Sequence, residues 1–371
     1  MTTPADFESL LAPYAMRTQQ SRGRRYREPD HPYRPAYVRD RDRIIHSAAF
    51  RRLAYKTQVF VDQPNDHHRT RLTHTLEVVQ IARTVARQLS LNEDLTEAVA
   101  LVHDLGHPPF GHAGEQTLHE MTASVGGFEH NRQGRRLVEK LESRYPHFPG
   151  LNLTCEVLDS ISLHAEQSTR LSPSSPADRQ MLAEAQVVDV VDSIAYAAHD
   201  IDDALRHQII TFADLRQIEI WRWAHDRCEK TYGNDLVGKQ LSRGVIRSLI
   251  DGQVGSLIEE SRQQLMNIRS VEEICSSPRR VISLPLPVAT MKEELQKFLF
   301  ARVYRSDVVT RRTKEGQQIV RGLFDRFLRS PDQLPEKYLR TDEGIERAVC
   351  DYISSMTDRF ARRSYDENGA V

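Results

Sequence analysis

Apolar residues recur at three- and four-residue intervals in two neighbouring stretches of the chain, the spacing that gathers them on one face of an α-helix. The first stretch is 72–89, and the second begins after Asn92, a residue type that caps helix starts. The second stripe ends at Gly106, a residue type common just after helices. The pattern predicts two buried helices, with His103 and Asp104 in the last turn of the second.

A third stretch, 180–205, predicts a helix with two sharply different sides. Apolar residues fill one side, and the other side carries Asp189, Asp192, Tyr196, His199, Asp200 and Asp203. The stretch holds six acidic residues and no Arg or Lys, whereas solvent-exposed helix faces usually mix charges that pair one turn apart. We interpret the acidic side as the wall of a metal-bearing cleft, with a plain solvent face as the alternative.

Composition indicates a folded protein of one large or two interlocked domains, because 39% of the 371 residues are hydrophobic and 28% are charged. The sequence shows neither strand–helix alternation nor a glycine-rich phosphate loop. The predicted fold class is therefore all-α, with one short strand at 280–284. We predict a basic N-terminal segment at 1–45, a core at 46–275, and a helical C-terminal part at 276–371 packed on that core.

The chain is also expected to be cytoplasmic. It starts without an apolar signal segment, and no run approaches the roughly 20 apolar residues of a membrane helix, so no membrane partner is expected. The spacing of the cysteines argues against a disulfide framework or a zinc–thiolate site and predicts small core residues at Cys155, Cys228, Cys275 and Cys350.

Positive charge is concentrated at the start of the chain. Residues 1–71 hold fourteen Arg and Lys against eight Asp and Glu, which favours anionic partners. The arginines within 17–27 form either an anion-binding surface or a solvated basic arm. Tyr26 is the one aromatic residue among them, which gives little support to single-stranded nucleic acid as a partner.

The residues with the clearest chemical meaning are His74, the adjacent His103 and Asp104, and Asp200. These are ligand types for divalent metals, and they are costly to bury in apolar helical segments unless something pairs them. The stretch 103–112 holds three histidines in ten positions. The C-terminal end of a helix adds a pull of roughly 0.3–1 kcal/mol on a nearby cation. Together these features predict phosphate chemistry at a metal centre.

The order His…His-Asp…Asp resembles the signature of the HD-domain phosphohydrolases. Seven strings make the chain similar to the deoxyguanosine-triphosphate triphosphohydrolase-like family within that superfamily: 50–53, 56–60, 71–74, 103–115, 127–131, 150–154 and 195–200. The similarity continues to a C-terminal string at 356–359. This resemblance implies an all-helical HD-domain metallohydrolase fold, with the catalytic core at 46–275 and a helical C-terminal extension.

The resemblance also implies a reaction and a set of ligands. A divalent ion, Mn, Mg, Fe or Co, would be bound by His74, His103, Asp104 and Asp200. In the family reaction, water attacks the α-phosphorus of a deoxynucleoside triphosphate, and tripolyphosphate separates from the deoxynucleoside. His112, oriented by Glu115, would protonate the departing 5′ oxygen. His107 and His130 are the other implied catalytic residues.

Further residues in the matched strings are implied to bind substrate. Arg71 and His130 would bind phosphates, and Gln58 would recognise the sugar 3′ hydroxyl. Asn131 and Tyr196 complete the implied substrate-binding set, with two alternatives left open. Asn131 could equally cap a helix, and Tyr196 could simply fill the cleft wall.

The predicted function is metal-dependent hydrolysis of deoxynucleoside triphosphates, dGTP or others, to deoxynucleoside and tripolyphosphate. The alternatives are another HD-domain nucleotide phosphohydrolase, such as a nucleotidase or signalling-nucleotide hydrolase, and a non-catalytic nucleotide- or nucleic-acid-binding regulator. The resemblance further implies a homo-oligomer and a regulatory nucleotide. A basic cluster is either such a regulatory site or an exposed helix face: Arg302, Arg305, Arg311, Arg312 and Lys314. We interpret His199 as a packing residue.

Overall fold

The structure is a computed structural model, and it describes four stretches of the chain: 8–58, 69–169, 179–340 and 343–367. Side chains are not described for 163–169, and the end of the matched string 56–60 lies outside the described residues. Over the described stretches the chain forms seventeen α-helices and no strand, with three isolated bridges. The all-α prediction is confirmed.

The helices follow one another in this order: α1 (Ala36–Ile45), α2 (Ala48–Arg52), α3 (Arg71–Gln88), α4 (Glu93–Val102), α5 (Gly111–Met121), α6 (His130–Arg136), α7 (Cys155–Thr169), α8 (Ala183–Arg206), α9 (Phe212–Leu215), α10 (Glu219–Tyr232), α11 (Gly238–Leu265), α12 (Val271–Cys275), α13 (Leu286–Leu299), α14 (Asp307–Arg329), α15 (Glu336–Leu339), α16 (Ile345–Ser354) and α17 (Asp358–Asp366). Two π-helical turns extend α6 and α13, at Leu137–Leu141 and Phe300–Tyr304.

The three helices predicted from apolar periodicity form the centre of the molecule. Helices α3, α4 and α8 contact one another pairwise and share one apolar core. Asn92 caps α4 as predicted, because its side chain accepts a hydrogen bond from the backbone N–H of Leu95 at 3.2 Å. Helix α4 ends at Val102 rather than at Gly106, so His103 and Asp104 follow the last turn instead of belonging to it.

The acidic side of α8 faces the interior of the molecule at its C-terminal end. His199, Asp200 and Asp203 are buried, so the alternative of a plain solvent face is wrong for them. Buried acidic and imidazole groups require partners that compensate for lost hydration. This part of α8 therefore belongs to a polar interior cleft.

The C-terminal helices pack on α5 and hold the turn before it. Helix α14 contacts α5, α16 and α17. The partly buried carboxylate of Asp358 accepts hydrogen bonds from the backbone N–H of Thr57 and of Phe110, both at 3.0 Å. The ammonium of Lys56 donates to the carbonyl oxygens of His107 and Ser354. The C-terminal part thus fixes the turn 107–110, while the predicted boundaries at 45/46 and 275/276 stay predictions.

Two local predictions are corrected by the structure. The predicted strand at 280–284 does not form. The side-chain oxygen of Gln186 instead accepts hydrogen bonds from the backbone N–H groups of Val281 and Ile282. The arginines within 17–27 are not all a solvated arm, since Arg22 pairs with Glu156 and a buried Arg24 pairs with Asp40.

The cysteines behave largely as predicted. All four are free thiols, and three of them are buried. Among the described helices, none combines the length and the apolar character needed to cross a membrane.

Candidate active site

Four side chains from α3, α8 and the end of α4 converge on one partly exposed cleft; we call them the metal cluster: His74, His103, Asp104 and Asp192. Ligand atoms of the first three lie within 4.8 Å of one another. His74 Nε2 lies 2.8 Å from Asp192 Oδ1, and His103 Nε2 lies 3.6 Å from the same oxygen. Two ligands of an octahedral ion at about 2.1 Å are separated by about 3 Å. These separations are compatible with a shared ion.

The imidazole of His103 is arranged as a ligand. Its Nδ1 lies 2.6 Å from the carbonyl oxygen of Ala100 and must donate its hydrogen there, since a carbonyl oxygen can only accept. In the neutral ring Nε2 then carries a lone pair, and this buried nitrogen has no hydrogen-bond partner. A ligating imidazole commonly anchors its other nitrogen in this way. The donor set of two imidazoles and two carboxylates suits Mn, Fe, Co or Mg.

The charges around the cluster favour a cation. Burial would lower the pKa of His103, but the carboxylates of Asp104 and Asp192 outweigh it and raise that pKa to about 9. Burial opposes ionisation of Asp104, yet Arg71 and His107 hold its pKa well below the usual range. The cluster therefore keeps its carboxylates ionised and attracts positive charge.

The structure brings three of the four predicted ligands together, and the aspartate of α8 that lies beside His74 and His103 is Asp192 rather than Asp200. The two aspartates are eight residues apart on α8, which is about 12 Å along a helix axis, too far for both to reach one ion. Asp200 instead accepts a hydrogen bond from the hydroxyl of Tyr304. Burial raises the pKa of Asp200 to about 8.

A second group lies next to the metal cluster; we call it the His–Glu cluster: His107, His112, Glu115 and His130. Glu115 Oε1 lies 2.8 Å from His130 Nδ1, and its Oε2 lies 3.3 Å from His112 Nδ1. The rings of His107 and His130 stack with centroids 3.9 Å apart. His107 Nδ1 lies 3.1 Å from Asp104 Oδ1. The predicted catalytic residues are thus brought together, and Asp104 joins them to the metal cluster.

The turn that carries His107 and His112 depends on two glycines. A Cβ on Gly106 would lie 1.9 Å from the carbonyl oxygen of His130, so only glycine lets α6 approach this closely. Gly111 follows Phe110 at the start of α5, and both have positive φ, at +55° and +62°. This tight reversal points His112 back toward the clusters.

Arg71 and Gln58 lie near this turn and are buried. Arg71 Nη1 donates to Asp104 Oδ2 at 3.0 Å, while its Nε has no hydrogen-bond partner. The side-chain oxygen of Gln58 is also buried without a partner. Buried groups of this kind normally find partners, so both residues retain hydrogen-bonding capacity for a ligand.

Asn131 and Tyr196 lie at the edge of the site. Asn131 donates to the Glu129 side chain, which caps α6, and it also lines a small cavity beside His103 and Asp192. The ring of Tyr196 lies 6.4 Å from that of His74. Each residue can therefore meet a ligand in the cleft, although the cap interaction also accounts for Asn131.

Comparison with known proteins gives the fold class first. The profile of the HD domain matches residues 71–197, and that of the phosphohydrolase-associated domain matches 282–367. A deoxyguanosinetriphosphate triphosphohydrolase-like protein of Geobacter metallireducens is 44% identical and covers 95% of this chain and 93% of its own. Relatives with the same name from Geobacter sulfurreducens and Ralstonia nicotianae are 43% and 40% identical, covering 95% and 100% of this chain and 93% and 97% of their own. The chain belongs to the deoxyguanosinetriphosphate triphosphohydrolase-like family of HD-domain proteins.

Proposed function

We propose that this protein hydrolyses deoxynucleoside triphosphates to deoxynucleoside and tripolyphosphate in a metal-dependent reaction. The names of its relatives support this substrate class. The observation that carries the proposal is that Asp104 Oδ1 faces both clusters, at 3.6 Å from His103 Nε2 and 3.1 Å from His107 Nδ1. The carboxylate of Asp104 thus connects a proposed cation site with a group of histidines suited to proton transfer.

The metal cluster supplies the first half of the chemistry. His74, His103, Asp104 and Asp192 would hold the divalent ion, which when bound polarises phosphate oxygens and lowers the pKa of water. Arg71 donates to the second oxygen of Asp104, so it keeps that carboxylate oriented toward the histidines. The proposal replaces Asp200 by Asp192 in the ligand set.

The His–Glu cluster supplies the second half. With its Nδ1 hydrogen donated to Glu115, His112 keeps Nε2 free to hold a proton and pass it to the leaving 5′ oxygen. The side chain of His112 is 69% exposed, so an entering substrate can reach it. His107, stacked against His130, keeps the ring of His130 in place beside Glu115.

The remaining predicted residues bind substrate in this proposal. His130 and the unpaired Nε of Arg71 contact phosphates, since a guanidinium grips phosphate oxygens in a planar fork. The buried amide of Gln58 bonds the sugar 3′ hydroxyl. Tyr196 and Asn131 line the cleft around the nucleotide.

Assembly and regulation stay predictions. In the basic cluster Arg302 lies 3.3 Å from Asp214, and Arg305 lies over the ring of Phe300. Arg311 and Lys314 are exposed. These contacts are compatible with a regulatory nucleotide site and with an exposed helix face alike.

The test is product analysis. Metal-loaded protein is incubated with each deoxynucleoside triphosphate, singly and in pairs, in ¹⁸O-labelled water, and the products are separated by ion exchange. We expect deoxynucleoside and labelled tripolyphosphate in equal amounts, with an unlabelled 5′ hydroxyl and no monophosphate. Pairs that react faster than single nucleotides would support a regulatory nucleotide.

Other outcomes would favour the alternatives. Stepwise release of orthophosphate or pyrophosphate, or activity on monophosphates alone, would indicate a different HD-domain phosphohydrolase. Nucleotide binding without turnover by metal-loaded protein would indicate a regulator.

A further inference from the structure

The side of His74 that faces away from the metal cluster makes a second, unpredicted set of contacts. His74 Nδ1 lies 3.1 Å from His199 Nδ1, and the two rings are nearly perpendicular, with an interplanar angle of 85°. The other nitrogen of His199, Nε2, lies 2.5 Å from Glu77 Oε2. The three side chains form a line from the interior of the cluster to the surface of α3.

With both rings neutral, only two hydrogen arrangements satisfy the contact between the two Nδ1 atoms. In the first, His74 donates from Nδ1 and keeps a lone pair on Nε2, the atom that faces Asp192. In the second, His199 donates, and His74 must carry its hydrogen on Nε2, where it blocks metal binding. The direction of this one hydrogen bond therefore decides whether His74 can act as a ligand.

Glu77 selects between the two arrangements. His199 is buried, and its imidazole in the neutral form carries a single hydrogen, on Nδ1 or on Nε2. If that hydrogen were on Nδ1, the lone pair of Nε2 would face the carboxylate of Glu77 and repel it. With the hydrogen on Nε2, His199 presents an N–H to the carboxylate of Glu77, an electrostatic attraction rather than an aligned hydrogen bond, and it accepts from His74. The carboxylate thus favours the arrangement in which His74 is a ligand.

We propose that Glu77 and His199 are positioning residues that hold His74 in its metal-binding tautomer and orientation, and so set the affinity of the metal cluster. They act through His74 and touch neither the ion nor the substrate. The proposal rests on the metal cluster of the proposed function. Mutation of a residue that contacts a metal ligand, but not the metal itself, typically weakens metal binding by roughly 10–100-fold.

A cavity makes the proposal testable by chemical rescue. His199 and Glu77 both line a surface cavity of about 560 Å³ between α3, α8 and α11. Truncation of His199 to alanine would open space beside this cavity for one free imidazole. An added imidazole could then bridge His74 and Glu77 as the native ring does.

The experiment measures Mn²⁺ affinity by competition with a fluorescent chelator, without nucleotide. We expect His199→Ala to weaken binding by about 10–100-fold, with imidazole restoring most of the loss. Glu77→Gln should weaken binding by up to about tenfold, and it should add nothing in the His199→Ala background because Glu77 acts through His199. The visible absorption of the Co²⁺-substituted protein should change in both variants.

Controls away from the metal cluster are provided by His46, an exposed histidine at the end of α1, and by Glu336, an exposed glutamate on α15. His46→Ala and Glu336→Gln should leave Mn²⁺ affinity unchanged, and imidazole should not improve binding by the wild type. Glu77 is 41% exposed, so Glu77→Gln should fold even where His199→Ala does not.

The outcomes separate this proposal from the proposed function. Wild-type affinity in both His199→Ala and Glu77→Gln would overturn the positioning role while leaving the metal cluster intact. Weak Mn²⁺ binding by the wild type itself, unaffected by His74→Ala, would overturn the metal cluster and the proposed function with it. Losses that imidazole does not reverse and that add in the double variant would also contradict the proposal.

Discussion

The metal cluster and the His–Glu cluster lie side by side, and in each a carboxylate faces two imidazole nitrogens, but in the metal cluster His103 has already donated its Nδ1 hydrogen to a backbone carbonyl oxygen. In the metal cluster, the Nε2 atoms of His74 and His103 both face Asp192, and His103 Nε2 has no hydrogen-bond partner. In the His–Glu cluster, one carboxylate oxygen of Glu115 contacts Nδ1 of His112 and the other contacts Nδ1 of His130.

This difference assigns the two clusters different chemistry. Buried lone pairs and carboxylates that face one another repel unless a cation lies between them. A glutamate flanked by two imidazoles needs no cation, because each contact can be an ordinary charge-assisted hydrogen bond. The first group is therefore suited to an ion and the second to a proton. Removing residues one at a time from each group tests the division.

The largest expected effect is loss of the ion. Asp192→Ala should weaken Mn²⁺ binding by more than about 100-fold and abolish turnover, because removal of a ligand costs more than loss of an outer partner. Metal content by mass spectrometry and chelator competition would measure it. Asp200→Ala is the matched control, since it removes a carboxylate from the same helix two turns away and should keep the metal. Metal loss in Asp200→Ala with retention in Asp192→Ala would reverse the assignment.

The next effect is loss of the proton donor. His112→Ala should bind Mn²⁺ and nucleotide as the wild type does, yet turn over roughly 10²–10⁴-fold more slowly, the usual cost of removing a positioned acid. Single-turnover kinetics with metal content measured in parallel would separate the two quantities. His46→Ala, which removes an exposed histidine at the end of α1, should be neutral. Near-normal turnover in His112→Ala would move the donor role to His107 or His130.

The sequence predicted the helices well because apolar periodicity is a local signal. The stripe in 72–89 became α3, and that in 180–205 became α8. It also predicted that Asp192 and Asp200 share one side of α8, since periodicity gives the direction of a side chain around the helix axis. Periodicity does not say where along the axis a side chain meets a neighbouring helix. Which aspartate meets His103 depends on how α4 docks against α8, and that is a tertiary property.

The same limit applies to residues that support the site from outside the two clusters. The interpretation of His199 as a packing residue missed its contact with His74, because that contact joins α3 to α8 across the core. Asp358 lies about 250 residues from Phe110, yet it bonds the backbone that precedes His112. A clue to both was present in the resemblance strings, which include 195–200 and 356–359. Their roles became visible only with the packing of the helices.

The smallest expected effect separates the clusters by stability rather than activity. Burial acts to raise the pKa of Glu115, but hydrogen bonds from His112 and His130 outweigh it and hold that pKa well below the ordinary value. A carboxylate with a depressed folded-state pKa stabilises the protein above its unfolded pKa of about 4.5 and loses this contribution as pH falls through the folded value. Glu115→Gln should therefore lower the free energy of unfolding of metal-free protein by about 1–3 kcal/mol at pH 7.

That deficit should shrink as pH falls below about 4.5, because the wild type then progressively loses the stabilisation that Glu115→Gln already lacks. Thermal midpoints by circular dichroism at pH 7 and at pH 3 would measure it, since most of the contribution is still present at pH 4. Glu229→Gln is the control, since that carboxylate is 40% exposed and 3.7 Å from His225, so its loss should change stability little at either pH. A Glu115→Gln deficit that persists unchanged at pH 3 would mean that the imidazole contacts do not stabilise the carboxylate. The His–Glu cluster would then need a cation as the metal cluster does, and the division between the two would fail.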